Sequence, residues 1–273
     1  MRTLWIALGL TGCFFKPSPS GETRDADERG PDSQIIHADG GTVTCVFSTA
    51  EKTLVMAASW ENPGLTSDNM TMFYTDTAVS GMHYLTRASR TDPFDNPIQM
   101  GALALMQPDE EFVGYDSQVG MLYTYSTTIH TIREYSLASV DANPSYQKDG
   151  PVGIYDPAGC DDGSSFIDLD DQGQLELIEG VSGNHDPLYK PDTGHTVTSP
   201  SIGNNDHMIV FGDVASAGRA IYHLDLDQMH AVTGPTRFGF SDGTTLDTYP
   251  VVSSDGAEVF FIRDGRLYRA QCQ

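Results

Sequence analysis

From residue 42 to the C-terminus the chain alternates short apolar runs with polar turns. The runs "TVTCVF", "TLVMAAS", "MTMFYT", "GMLYTYS", "MIVFGD", "AIYHLDL" and "EVFFIRDG" are six to eight residues long and rich in β-branched and aromatic residues. Gly, Asp, Asn and Ser separate them. A run of this length bounded by turn residues suits a strand, because a helix of that length cannot nucleate and bury a face alone. No long segment repeats apolar residues at helical spacing, so the pattern predicts an all-β domain.

The runs recur with a period. From Pro250 in "PVVSSDGAEVFFIRDGRLYRA", a polar turn (Asp255, Gly256) falls at five and six residues, and the apolar pair Phe260 and Phe261 at ten and eleven. A further strand holds Tyr268. From Pro200 the same offsets give Asn205 and Asp206, then Val210 and Phe211, with Tyr222 beyond. From Pro63 they give Asp68 and Asn69, then Phe73 and Tyr74, with Tyr84 beyond. Weaker copies start at Pro157 (Asp162, Gly163, Ile167) and at Phe112 (Leu122, Tyr123). The five starts are 49, 45, 43 and 50 residues apart. That is the length of a four-stranded propeller blade. Blades cannot bury both faces alone and must stack around an axis. The sequence therefore predicts one β-propeller of five four-stranded blades, with six as the alternative count and a β-sandwich as the competing fold.

The stretches "NPGLTSDNMTMFYTD" and "YPVVSSDGAEVFFIRDGRLYRA" resemble the TolB-type, WD-like propeller repeats of secreted bacterial proteins. The element there reads roughly P-x-x-S-x-D-G-x-x-L-x-F, followed by a strand with Tyr. The resemblance covers about residues 60–273 and departs from the pattern at Asn69, Gln118 and Asp206, where Gly is usual. It implies a propeller scaffold of the kind found in binding proteins, in fused envelope proteins and beside peptidases, so it implies no particular activity.

The last copy ends soon after its third strand, at Gln273. The unassigned N-terminal strands, "TVTCVF" among them, supply the missing fourth and close the ring. Cys45 lies in that segment and Cys272 at the other end, which predicts a Cys45–Cys272 disulfide. Cys45–Cys160 and Cys160–Cys272 stay open as pairings.

The N-terminus is different in kind. "MRTLWIALGLTGC" has Arg2, an apolar run over residues 3–10, then small residues and Cys13. It is too short to span a bilayer and has the layout of a secretory signal. Its ending resembles a bacterial lipobox, which implies a signal peptide at 1–12 and lipidation at Cys13. Phe14 follows where an Asp would retain some lipoproteins at the inner membrane, so the outer membrane is favoured. Residues 16–34 hold Pro, Ser, Gly and charges, with no apolar residue beyond an Ala. They read with Cys13 as a tether, 13–34, leaving a folded domain at 35–273.

Charge narrows the function. Asp and Glu number 38 against 15 Lys and Arg, a net charge of -23. Nucleic acid would be repelled. A solvated acidic surface, a bound cation or a basic partner all fit. The segment "DLDDQGQLELIE" has almost the spacing of an EF-hand loop. The repeat register reads it instead as a hairpin, which leaves Asp168, Asp170 and Asp171 as ligands for weak calcium binding at a blade edge. No other cofactor is expected. "GNHD" (residues 183–186) matches one block of the metallophosphoesterases, without the rest of that motif set. No Gly-x-Ser-x-Gly elbow is present. Carboxylates near strand starts and turns (Asp68, Asp76, Asp116, Asp162, Asp213, Asp247 and Glu61) are the candidates for glycan hydrolysis in the channel. The expectation is a monomeric, lipid-anchored envelope protein whose propeller binds a protein or glycan without catalysis. A propeller glycan hydrolase is the alternative.

Overall fold

The computed structural model describes residues 33–36, 42–47, 50–78, 81–100, 109–116, 120–137, 145–152, 158–159, 165–179, 184–203, 207–215, 218–227, 230–231 and 234–273. Every regular element among them is a strand. The first two, β1 (Ser33–Ile36) and β2 (Thr42–Cys45), form a separate antiparallel hairpin. Next comes β3 (Ala50–Met56). Blade 1 is β4 (Trp60–Leu65), β5 (Thr71–Asp76), β6 (Gly81–Thr86) and β7 (Ile98–Gln99). Blade 2 is β8 (Glu110–Asp116), β9 (Met121–Ser126), β10 (Thr131–Ser136) and β11 (Ser145–Val152). Blade 3 is β12 (Ala158–Gly159), β13 (Ser165–Leu169), β14 (Leu175–Glu179) and β15 (His185–Tyr189). Blade 4 is β16 (Thr196–Gly203), β17 (Met208–Ala215), β18 (Gly218–Asp227) and β19 (His230–Ala231), with β20 (Thr236–Arg237) also on β18. Blade 5 is β21 (Asp247–Val252), β22 (Glu258–Arg263), β23 (Arg266–Gln271) and, outermost, β3.

Each blade is an antiparallel meander. The inner strands β4, β8, β12, β16 and β21 contact one another in that cyclic order, with β21 returning to β4. The molecule is a five-bladed propeller, and the alternative count of six is excluded.

The N-terminus closes the ring, as the missing strand required. The closing strand is β3, which pairs β23 with Tyr268 opposite Lys52 and Arg269 opposite Glu51. The run "TVTCVF" has another role. Its first four residues belong to the hairpin, and Phe47 is buried between blades 4 and 5, edge-on to Phe238 at 5.3 Å. Chain continuity explains the choice. Only three residues separate β3 from β4, so the outer strand of blade 5 leads directly into the inner strand of blade 1.

Five apolar clusters fill the five interfaces between blades. The repeated apolar pair makes them. Consecutive residues of a strand point to opposite faces, so each member faces a different neighbour. Phe73 packs toward blade 2 with Phe112 and Leu122, and Tyr74 toward blade 5 with Trp60 and Phe260. In blade 4, Val210 meets Phe261 of blade 5, and Phe211 meets Ile167 of blade 3. Each such side chain contributes about 1.5–3 kcal/mol by burial.

The repeat proline has a backbone consequence. Asn62, Ser199 and Tyr249, each just before a repeat proline, have φ of 45°, 48° and 51°. At these places the ladders of β4, β16 and β21 break register. Proline has no N–H to give the ladder, so the strand bulges there. The bulges bring inner strands very close. A Cβ on Gly64 would lie 2.1 Å from Phe112 Cε1, so any larger residue would have to displace that buried ring.

Candidate functional site

The bulged segments line the propeller axis. Residues 62–65, 112–115, 199–202 and 250–252, with Ser254, enclose a space of about 40 Å³. That holds a few waters and is far below the size of a ligand pocket. Asn62 Nδ2 donates to Glu111 Oε2 at 2.6 Å and ties blade 1 to blade 2 beside it.

Among the described residues, the candidate carboxylates do not line this space. Asp68 caps the β4–β5 turn, accepting from Thr66 Oγ1 at 2.6 Å and Met70 N at 2.9 Å. Asp76 accepts from Ser59 Oγ and Ala78 N. Asp247 is fully buried and holds Arg263 through two bonds of 2.6 Å, with Ser241 and Thr245 donating as well. Asp213, on β17, accepts from His195 Nδ1 at 2.6 Å. Its Oδ1 is buried without a hydrogen-bond partner among the described residues. Glu61 is half-buried on β4, opposite Thr75. Asp116 ends β8, but its side chain, like the whole of Asp162, lies outside the described residues. Sequence reasoning passed over Glu110. It is buried, accepts from Tyr135 Oη at 2.8 and 2.9 Å and Thr124 Oγ1 at 3.1 Å, and pairs with Arg133.

The acidic hairpin takes the repeat register. Asp168 is buried in β13, opposite Glu176. Asp170 starts the turn, and one carboxylate oxygen accepts from the backbone N–H groups of Gln172 and Gln174, both at 2.8 Å. Asp171 is exposed and accepts from Gln172 Nε2 at 3.2 Å. Among the described residues no three His, Cys, Asp or Glu side chains stand as a metal-binding group. Cys272 is disulfide-bonded. The N–H of Gln273 donates to Val46 O at 3.3 Å, which brings the residue after Cys272 against the residue after Cys45. Cys13 and Cys160 lie outside the described residues, as does the Cys45 side chain.

Among the described residues, a dense polar cluster lies at the seam between blades 5 and 1, where the ring closes. Arg87, fully buried, donates to Glu258 through both Nη atoms, at 3.1 and 2.7 Å, and to Asn69 O at 2.8 Å. Arg90 adds a bond of 3.0 Å to Glu258 and a bidentate pair with Asp255. Asn69, the turn residue where Gly is usual, donates to Ser254 Oγ at 2.8 Å and accepts from Ser254 N at 2.9 Å. Bidentate, hydrogen-bonded pairs of this kind fix geometry as well as charge. The only sequence signal was the closeness of two Arg residues in an acid-rich chain.

Beside the seam is a hollow of about 220 Å³, lined by Glu51, residues 91–94, Phe260 and Arg269. Phe94 and Phe260 form its apolar floor, edge-to-face at 5.5 Å. Arg87 sits 4.9 and 5.5 Å from the two ring centroids. Glu51 and Asp92 are on the rim. Arg269 lies 3.6 Å from Glu51 and 3.6 Å from Glu258.

No family model matches the chain, and no curated protein matches it. Solved structures with a similar chain path include a protein assigned as TolB from Agrobacterium tumefaciens. It is 18% identical with a TM-score of 0.46, over 75% of this chain and 69% of that one. Hydrazine synthase from Kuenenia stuttgartiensis is 13% identical with a TM-score of 0.46, over 77% of this chain and 58% of that one. TolB from Acinetobacter baumannii is 13% identical with a TM-score of 0.44, over 89% of this chain and 59% of that one. Likenesses this distant say nothing about activity or partners, and the five-bladed ring is established by the sheet order itself.

Proposed function

We propose that the protein is an exported, lipid-anchored envelope propeller that binds a protein or glycan partner without turning it over. The observation that carries this reading is the use made of the acids. Asp68, Asp76 and Asp247 are each committed to a turn or a buried ion pair. The axial space among the described residues admits water and not a sugar ring. A glycan hydrolase needs two carboxylates facing a cleft of sugar width. Binding therefore falls to the outer surfaces. A net charge of -23 favours a basic partner and disfavours nucleic acid.

Export is supported by the signal layout of residues 1–13 and by the disulfide at Cys272, which suits an oxidising compartment. Lipidation at Cys13, outer-membrane placement and a monomeric state belong to the same proposal. Cys13→Ser is expected to move the protein from the membrane fraction to the soluble fraction with an unchanged melting temperature. Retention in the membrane defeats the anchor. Turnover of any substrate in a glycosidase panel defeats the non-catalytic reading.

A further inference from the structure

The hollow beside the seam has a structural cause. The outer strand of blade 1, β7, is two residues long and pairs only His83 and Tyr84 of β6. The outer strand of blade 5, β3, is seven residues long. The two blades face each other, so β3 and β23 extend past what blade 1 can cover. The connection between β6 and β7 crosses that gap instead, held by Asp95 N donating to Thr86 O at 2.7 Å. Thr91, Asp92 and Pro93 form one wall, with Thr91 and Pro93 exposed, and the rings of Phe94 and Phe260 lie beneath, 5% and 1% exposed.

Size and charge limit the occupant. About 220 Å³ is below the range for drug-sized ligands and suits one side chain. Exposed Thr91 and Pro93 stand beside the largely covered rings of Phe94 and Phe260, a lining that favours an apolar or aromatic anchor. Among the described residues, Arg269 is the one cation of the lining and lies 3.6 Å from Glu51, while Glu258, also 3.6 Å away, is already paired with Arg87 and Arg90. Asp92 forms no ion pair among the described residues, and Glu51 is largely exposed. The rim therefore presents net negative charge within a strongly acidic molecule.

We propose that this hollow seats one aromatic side chain of a basic segment from a protein partner. The inference rests on the binding-module reading and names the partner chemistry for it.

The test uses the purified full-length protein and three capped peptides: Lys-Phe-Lys, Lys-Ala-Lys and Glu-Phe-Glu. Binding is followed by NMR shifts of the backbone amides of Thr91, Asp92, Phe94 and Phe260. Lys-Phe-Lys is expected to move these amides and to bind about tenfold more tightly than either control. The rim reversal Glu51→Lys/Asp92→Lys is expected to remove that preference while the melting temperature is retained. The inference is overturned if Lys-Phe-Lys leaves these amides unmoved, or moves them no more than Lys-Ala-Lys does. A preference for Glu-Phe-Glu also overturns it, because Arg269 would then be the recognising group. If the wild type and the rim reversal retain the same envelope proteins on a column, the hollow is not the docking site, yet the binding-module reading stands. Loss of all specific retention by the wild type counts against that reading instead.

Discussion

At the scale of single residues, the charges of the seam are anchors of the ring, and half-exposed Asp255 makes this testable by acid. Burial alone would raise its pKa. The bonds from Arg90, from Ser253 Oγ at 2.7 Å and from Ala257 N at 3.1 Å, with the Arg90 charge, outweigh burial and hold the carboxyl at about 2. Glu258 is lowered as well: burial opposes this, and the bonds and charges of Arg87 and Arg90 overcome it. A carboxyl whose pKa falls on folding stabilises the protein fully above its unfolded value, near 3.8 for Asp255. It loses that contribution as pH falls toward the folded value. The wild type is therefore expected to lose melting temperature between about pH 4 and pH 2 more steeply than Asp255→Asn. Parallel curves would show that Asp255 contributes nothing to the acid sensitivity of the seam. None of these pairings was legible beforehand. Arg87 and Glu258 are far apart in the chain, and a list of 38 acids does not say which one meets a given arginine.

At the scale of elements, much was legible because it is local. The offsets from Pro63 and Pro250 put the turns at Asp68–Asn69 and Asp255–Gly256, and both hairpins fold there. The acidic segment folds as the hairpin that the register required, from β13 through a turn to β14. The role of its first turn residue was not legible. Asp170 spends a carboxylate oxygen on two backbone N–H groups, and each bond contributes about 0.5–1.5 kcal/mol. Asp170→Ala is expected to destabilise by about 1–2 kcal/mol, read from urea unfolding. Weak calcium binding at Asp168, Asp170 and Asp171 predicts a rise in melting temperature with added calcium that Asp170→Ala abolishes. A flat wild-type titration removes calcium from this hairpin. The length of β7 had no sequence signal either, since residues 87–97 carry turn formers that suit a loop or a short strand equally.

At the scale of the whole molecule, the ring is held where its ends meet, by β3 on β23, by Phe47 between blades 4 and 5, and by the Arg87–Glu258 seam. We propose Cys45 as the partner of the disulfide-bonded Cys272, supported by the Gln273–Val46 bond beside them. Closing so long a loop stabilises by about 4–5 kcal/mol in the chain-entropy model. Peptide mapping without reductant is expected to recover Cys45 linked to Cys272, and reduction to lower the melting temperature. A Cys160 link to either residue would refute the pairing. The sequence by itself determined the all-β class, the period, the turns and the need for an N-terminal strand. These follow from alternation and turn chemistry, which act over a few residues, and from a count of strands. Tertiary structure alone decided that β3, not the "TVTCVF" run, closes the ring, which acids meet which bases, and that a short β7 opposite a long β3 leaves a hollow. Those outcomes depend on which distant surfaces stack together, and stacking selects among many pairings that the local pattern permits equally.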